Sequence, residues 1–518
     1  MLFNSHGFIF LFLPVVVATF FVIGRRSQSL AAAWLAAASL FFYAYWSPKY
    51  VALLLASIIF NFVLAGSISR SPVTLGWYRR RWLLTLAIAT DLVLLAYFKY
   101  ANFFLDNFGG LTGMPHGLVE VILPLGISFF TFTQIAFLVD AYQGKSSEPS
   151  FTHYCLFVTY FPHLIAGPVL HHKEMMPQFR HAATYLPSAR NFSIGLTIFA
   201  IGLFKKVGIA DSIAPYANAV FAASAGGHAP TFFEAWSGAL AYTLQLYFDF
   251  SGYSDMAIGL SRLFNVVLPL NFHSPYKATN IIEFWRCWHM TLSRFLRDYL
   301  YIPLGGNRYG HMRRYQNLMI TMLLGGLWHG AGWTFVVWGG LHGVYLVVNH
   351  AWRGLRARLG QNIAQSTFLG GFAGRTLTFT AVVAAWVVFR AENIDVAISV
   401  LRGMAGLNGV VLNGVWQAKL GVLGDLLGTA GVVFGDLVVL ESVRALRWLL
   451  PLVIACWVLP NTQEIMANFR PALDFHADEP LSRIAWRPSL AWGIGVGTLA
   501  ALSVLLITGK SEFLYFQF

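Results

Sequence analysis

From residue 315 to residue 352 the chain runs for 38 residues without one Asp, Glu, Lys or Arg. As a single straight helix that stretch would be about 57 Å long at 1.5 Å per residue, nearly twice the roughly 30 Å of hydrocarbon in a bilayer. It must therefore break. Seven glycines fall inside it, and Gly326/Gly330 and Gly339/Gly343 have the spacing that lets helix backbones approach closely. Two helices, or a re-entrant pair, are expected.

The rest of the chain has the same character. Of its residues 57% are hydrophobic and 11% charged, against roughly 25% charged in a soluble chain. No linker, charge block or low-complexity tract divides it, so residues 1–518 read as one integral membrane domain. Apolar stretches centred near residues 16, 38, 58, 92, 130, 160, 200, 245, 325, 343, 383, 430, 453 and 498 are candidate spans, some of which will not cross. The expectation is an all-α, polytopic membrane protein of 11–13 transmembrane or re-entrant helices. Residues 8–23 lack a basic region before them and a small-residue cleavage site after them, and so read as a retained helix. Arg25-Arg26 directly after this run places its far end in the cytoplasm. Two further spans return the chain by Arg79, with Trp46-Ser47-Pro48-Lys49 as their outer turn. No internal repeat is visible, which lowers the prospect of a transporter built on inverted repeats.

The net charge of +13 comes from 35 Lys+Arg against 22 Asp+Glu. Its short clusters, Arg25-Arg26, Arg79-Arg80-Arg81 and Arg313-Arg314, lie between apolar stretches, a pattern of cytoplasmic loops meeting lipid and not of a nucleic-acid surface. Cys155, Cys287 and Cys456 are scattered among apolar residues and read as packing residues. His153, His163, His171 and His172 have no metal-ligand spacing, and no metal is expected. Neither a Walker loop, a dinucleotide fingerprint nor a Gly-x-Ser-x-Gly elbow is present.

Three places could carry chemistry. His329, in Leu327-Trp328-His329-Gly330, sits in the uncharged region, where a polar side chain tends to face a cavity or a partner. Imidazole is the side chain best suited to take a proton from a hydroxyl near neutral pH; the alternative is a histidine satisfied by a backbone carbonyl. Between residues 265 and 312, Lys277, Glu283, Arg286, Arg294, Arg297, Asp298 and Arg308 are packed among aromatic residues. On a 100° wheel Glu283, Arg286, His289, Ser293, Arg294 and Arg297 fall within about 140°, as one amphipathic interfacial or groove-lining helix would place them. Its arginines suit either the phosphates of an anionic cofactor such as coenzyme A or lipid headgroups. Asp249 and Asp255 lie in an aromatic stretch, where functional acids, a helix end or internal arginine pairing are all open.

The motifs Glu283-Phe284-Trp285-Arg286-Cys287-Trp288-His289-Met290-Thr291-Leu292-Ser293 and Arg297-Asp298-Tyr299-Leu300-Tyr301-Ile302-Pro303-Leu304-Gly305-Gly306-Asn307 strongly resemble the membrane-bound O-acyltransferase (MBOAT) family. Within it, they look like the bacterial branch concerned with exopolysaccharide acetylation, alginate O-acetylation included. The resemblance extends through Leu123-Pro124-Leu125-Gly126-Ile127-Ser128-Phe129, Phe161-Pro162-His163-Leu164-Ile165-Ala166-Gly167-Pro168, Leu203-Phe204-Lys205-Lys206, the Asp249 segment, Leu327-Trp328-His329-Gly330 and Leu459-Pro460-Asn461-Thr462-Gln463. Cys287, Thr133 and Leu270 depart from the usual pattern, and none touches the histidines. The last residues, Glu512-Phe513-Leu514-Tyr515-Phe516-Gln517-Phe518, read as native, because members of this branch often end this way.

The resemblance implies a multi-helix fold around a central tunnel or funnel, with residues 120–350 as the catalytic core. It maps the invariant family histidine onto His329 and the second motif histidine onto His289. It implies an inner-membrane O-acetyltransferase that moves acetyl from a cytoplasmic thioester, acetyl-CoA, to periplasmic acetyltransferase partner proteins serving an exopolysaccharide such as alginate or cellulose. Arg286, Arg294, Arg297, Trp285 and Trp328 would hold that donor, and no cofactor would be permanently bound. Competing expectations are D-alanyl transfer to a teichoic acid from a carrier-protein thioester, a proton-coupled polysaccharide exporter, and a scaffold for a synthase.

Overall fold

In the computed structural model residues 1–46, 48–70, 77–112, 122–165, 167–362, 367–475, 484–507 and 514 are described. Apart from Leu514, the terminal motif beginning at Glu512 lies outside them, as do Ser47 and Ala166. Twelve of the fourteen expected span centres fall in continuous helices. In chain order these are α1 (Phe8–Gly24), α2 (Gln28–Ala44), α3 (Val51–Arg70), α4 (Trp77–Thr112) and α5 (Ile127–Tyr142). The short α6 (Phe151–Thr159) precedes α7 (Ala189–Ala225) and α8 (Phe232–Leu263). Residues 48–70, 78–112, 189–225 and 368–390 form helices long and apolar enough to cross a bilayer, and α1, α2, α5 and the last helix are shorter apolar ones.

α8 is the axis of the molecule and is buried along nearly its whole length. Its start is fixed by a capping box, in which Thr231 and Glu234 satisfy each other's backbone groups. Two pairs of glycines bring it against α7: a Cβ on Gly202 would lie 2.6 Å from the Gly252 carbonyl oxygen, and one on Gly195 2.6 Å from that of Gly259. The backbones touch at these points, so no larger residue fits. Beside this crossing α7 contains a π-helical turn, Phe204–Ala210, that delivers two consecutive lysines to α8. Lys205 pairs with Asp255 at 2.7 Å, and Lys206 bridges Asp211 at 2.7 Å and Asp249 at 2.5 Å. Both acids of the aromatic stretch are thus engaged by lysines, not arginines. Asp255 also accepts from Thr462 Oγ1 (2.6 Å) and Gln463 Nε2 (2.8 Å), which ties the Leu459-Pro460-Asn461-Thr462-Gln463 motif to the axis.

The 38-residue uncharged stretch is a hairpin of α11 (Gly310–His329) and α12 (Trp333–Arg358), broken at Gly330-Ala331-Gly332. Gly326 and Gly339 face each other across it, since a Cβ on Gly326 would lie 2.2 Å from the Phe335 carbonyl oxygen and one on Gly339 2.3 Å from that of Met322. The contact thus pairs one glycine from each of the two expected motifs.

Three readings are corrected. The segment read as one amphipathic helix is two, α9 (Ile281–Cys287) and α10 (Met290–Leu296), because His289 sits between them at φ +44°, and a π-helical turn, Arg297–Tyr301, follows. A wheel drawn through the break therefore mixes two faces. Near residue 160 the chain kinks after α6 at Tyr160-Phe161-Pro162, where proline lacks the N–H a continuing helix needs. Near residue 430, beyond α13 (Phe368–Arg390) and α14 (Ile394–Met404), it forms β1 (Val410–Asn413), α15 (Val415–Leu420), α16 (Val422–Thr429) and β2 (Val432–Gly435). β1 and β2 pair in parallel, Val410 opposite Val432. Glycines 414, 421, 424, 428, 431 and 435 interrupt this apolar run, and no spanning helix survives there. α17 (Leu440–Val458) and α18 (Leu490–Leu505) complete the fold.

Candidate active site

His329 ends α11, immediately before the break in the hairpin. The last carbonyls of that helix have no intrahelical donors, and α4 supplies them. Tyr100 Oη donates to the Leu327 oxygen at 2.8 Å, and Lys99 Nζ donates to the oxygens of Trp328 and, at 3.1 Å, His329. A cation at a helix C-terminus is also favoured by the helix dipole. The His329 imidazole stands edge-on in an aromatic box, its ring centre 4.9 Å from Trp328, 5.1 Å from Trp338 and 5.2 Å from Phe389.

His289 also lies beside Trp328, with 6.2 Å between their ring centres. The indole thus touches both histidines. The backbone turn at His289 is held by Asn271, whose carbonyl oxygen accepts from Met290 N at 2.9 Å, while its side-chain oxygen accepts from Thr291 N (3.3 Å) and Thr291 Oγ1 (2.9 Å) and lies 3.1 Å from His289 Nδ1. Phe250 packs edge-on against the His289 ring at 4.7 Å.

The five residues expected to hold a donor separate into different places. Arg294 and Arg297 line a polar cavity of about 690 Å³ together with Lys145, Lys173 and Arg308. Asp140, Glu174 and Asp298 are its acids, and Arg294 is shared between Glu174 (2.9 Å) and Asp474 (3.3 Å). From this cavity an unbroken line of rings leads inward: Tyr299 to Phe295 (5.0 Å), Phe295 stacked on Phe132 (4.3 Å), Phe132 stacked on Trp328 (5.4 Å), and Trp328 to His329. Arg286 is elsewhere, in a cavity of about 530 Å³ with Glu283, Arg353 and Arg356. Trp285 connects that region to the box, its ring 5.9 Å from Trp338.

Several neighbours of the histidines escaped sequence reasoning. Lys99 carried a signal, being a cation in the middle of an apolar span. Asn271 carried none. His342 is fully buried and accepts from Trp285 Nε1 at 3.2 Å; because indole N–H only donates, His342 Nδ1 carries the lone pair and Nε2 the proton. The four histidines weighed for a metal have other partners. His172 and His153 lie against Glu148 (3.1 and 3.7 Å), His171 bonds Tyr299 Oη (3.0 Å), and His163 bonds the Phe157 carbonyl oxygen (2.9 Å).

Residues 16–385 match the model of MBOAT, the membrane-bound O-acyltransferase family. The chain belongs to this family. As an MBOAT protein it is a membrane-bound acyltransferase. It is 45% identical over 439 residues to a peptidoglycan O-acetyltransferase of Helicobacter pylori, covering 80% of this chain and 81% of that one. It is 39% identical over 530 residues to a probable alginate O-acetylase, AlgI, of Azotobacter vinelandii, over the full length of both. A teichoic acid D-alanyltransferase of Streptococcus thermophilus is 27% identical over 245 residues, 46% of this chain and 59% of that one.

Proposed function

We propose that this MBOAT protein is an inner-membrane O-acetyltransferase for a cell-envelope polysaccharide, with acetyl-CoA as donor and periplasmic acetyltransferase partner proteins as receivers of the acetyl group. The observation that carries the reading is the line of rings from an arginine-lined cavity to His329, joined to full-length likeness with a probable alginate O-acetylase. The cationic cavity suits phosphates, and the aromatic line suits the apolar arm that delivers a thioester. Charge bias puts the arginine-rich ends of α11 and α12 in the cytoplasm.

In the reaction, an acceptor hydroxyl attacks the thioester carbonyl carbon. His329 takes the hydroxyl proton as the C–O bond forms, and His289, oriented by Asn271, positions the reacting groups. The tetrahedral oxyanion then collapses, the C–S bond breaks, and the thiolate leaves with the proton returned from the imidazolium. Atoms and charge balance without an added reductant or oxidant. Acetyl is preferred to D-alanyl because the D-alanyltransferase likeness covers under half of the chain, whereas the two acetylating relatives named above match 80% and 100% of it. Those relatives are named for two different polymers, so the class proposed here is polysaccharide and not alginate alone.

The test compares acetyl ester per sugar, alongside polymer yield, in host cells carrying wild-type protein or His329→Ala at matched membrane abundance. Loss of acetyl at constant yield is expected. Unchanged acetylation would make His329 structural, and a collapse of yield would favour export or scaffolding.

A further inference from the structure

From Tyr299 to Ala391 the chain carries eight arginines (308, 313, 314, 353, 356, 358, 375 and 390) and no Asp, Glu or Lys. Orientation in a membrane requires only cationic loops, and lysine serves that purpose as well as arginine. Exclusive use of arginine points instead to a planar, forked donor that grips phosphate through two N–H groups.

The fold gathers three of these arginines into one concavity. Arg314 near the start of α11, and Arg353 and Arg358 near the end of α12, line a cavity of about 600 Å³ with His311 and His350, and its lining contains no acid. His350 shares this lining with Arg314 and Arg353; Arg314 is half-buried, and Arg353 and Arg358 are exposed at its mouth. Arg314 Nε is buried without a hydrogen-bond partner among the described residues. Its guanidinium is steadied over the Tyr315 ring, 5.2 Å away. Gathering cations with no counter-charge is unfavourable, and an anion would relieve it.

The surroundings identify the source of that anion. On the adjoining surface of α12 and the residue that follows it, Val348, Trp352, Leu355 and Leu359 are all exposed, at 60, 57, 48 and 65%. An apolar strip carrying a tryptophan and ending in a ring of arginines has the profile of the hydrocarbon-to-headgroup boundary. We infer that the α11–α12 arginine pocket binds the phosphate of an anionic membrane lipid whose chains lie along α12. This does not depend on the acetyl-transfer reading, and the residues probed below lie outside the two cavities assigned to the donor question.

The test uses the full chain in a mild detergent, with native mass spectrometry of retained lipid at matched phosphatidylglycerol and phosphatidylcholine. Wild-type protein is expected to retain phosphatidylglycerol preferentially, and Arg314→Gln/Arg358→Gln to lose retention by about tenfold or more, as removal of two charge-assisted contacts predicts. Arg314→Lys keeps the charge without the fork and is expected to fall between, which keeps the test decisive if the double variant does not elute as a single folded species. Arg444→Gln, an exposed arginine paired with Glu441 on α17, should behave as wild type. Equal retention by wild type and the double variant, or equal retention of the two lipids, would overturn the inference. Displacement of phosphatidylglycerol by millimolar inorganic phosphate would assign the pocket to a free anion and overturn it as well.

Discussion

Asn271 fixes which nitrogen of His289 carries its proton. The Asn271 side-chain oxygen is identified by its partners: the Thr291 backbone N–H can only donate, and the Thr291 hydroxyl, which accepts from Val169 N at 2.9 Å, turns its own proton toward Asn271. His289 Nδ1, 3.1 Å from the same oxygen, must then be the protonated nitrogen, leaving the lone pair on Nε2. This is the orientation in which a buried imidazole can accept a proton or hydrogen bond from a substrate. Asn271→Ala should therefore lower acetyl transfer by about tenfold, as loss of one positioning hydrogen bond of roughly 1.5 kcal/mol implies. Asn271→Asp, which retains the acceptor, should lose much less. Rates at matched membrane abundance check this; a purely structural Asn271 would lower abundance and leave the rate per folded molecule unchanged.

The separation of the arginines makes a second expectation specific. Arg297 lines the cavity from which the rings lead to His329, whereas Arg286 lines another with Arg353 and Arg356. If the donor's phosphates rest in the first cavity, Arg297→Ala should raise the donor KM by about tenfold, as loss of one charge-assisted contact of roughly 1.5 kcal/mol implies. Arg286→Ala should leave it within about twofold. The reverse order, measured by titrating acetyl-CoA against membranes of each variant, would move the donor to the Arg286 side.

What the sequence disclosed and what it hid follow one physical divide. The α11–α12 hairpin was legible because length, absence of charge and glycine spacing are properties of a contiguous stretch. His329 was legible for the same reason, as a polar group where polarity is costly. The wheel drawn through residues 283–297 failed because helical periodicity assumes an unbroken backbone, and the left-handed conformation at His289 is imposed by Asn271, 18 residues earlier. Lys99 and Tyr100 meet the end of α11 across more than 220 residues of chain. Such long-range contacts leave no local periodicity to detect. The run near residue 430 is apolar enough for a span, yet its glycines direct it into short helices and a strand pair.

The glycine contact inside the hairpin gives a stability prediction with its own control. A methyl group at Gly326 would be driven to 2.2 Å from a backbone oxygen, and neither helix can retreat without opening the turn that presents His329. Gly326→Ala should cost about 3 kcal/mol, as overpacking at a tight contact does, and should depress activity through His329. Gly354, on α12, has nothing within 4 Å of the position a Cβ would take. Gly354→Ala should stabilise by about 0.5–1 kcal/mol through helix propensity. Thermal melting of the two variants in the same detergent should shift in opposite directions.

Glu148 ties part of the fold's stability to pH. It lies in the loop between α5 and α6, with its side chain almost fully buried, accepting from Ser150 N at 3.1 Å and facing His172 Nε2 at 3.1 Å and His153 Nδ1 at 3.7 Å. Burial alone would push its pKa up, but the hydrogen bonds from His172 and Ser150 and the charges of the two histidines outweigh it and hold the carboxyl below its usual range. A carboxylate with a depressed folded-state pKa adds stability that is present in full above the unfolded value, about 4.3. That stability is lost as pH falls through the lower, folded value. Wild-type protein should therefore lose thermal stability progressively below about pH 4.5. Glu148→Gln, which keeps the shape but not the charge, should be less stable at pH 7 and show a shallower acid dependence. If the two melting curves remain parallel from pH 7 to pH 3.5, the acid sensitivity resides in another group, and the Glu148 cluster is held by packing rather than by charge.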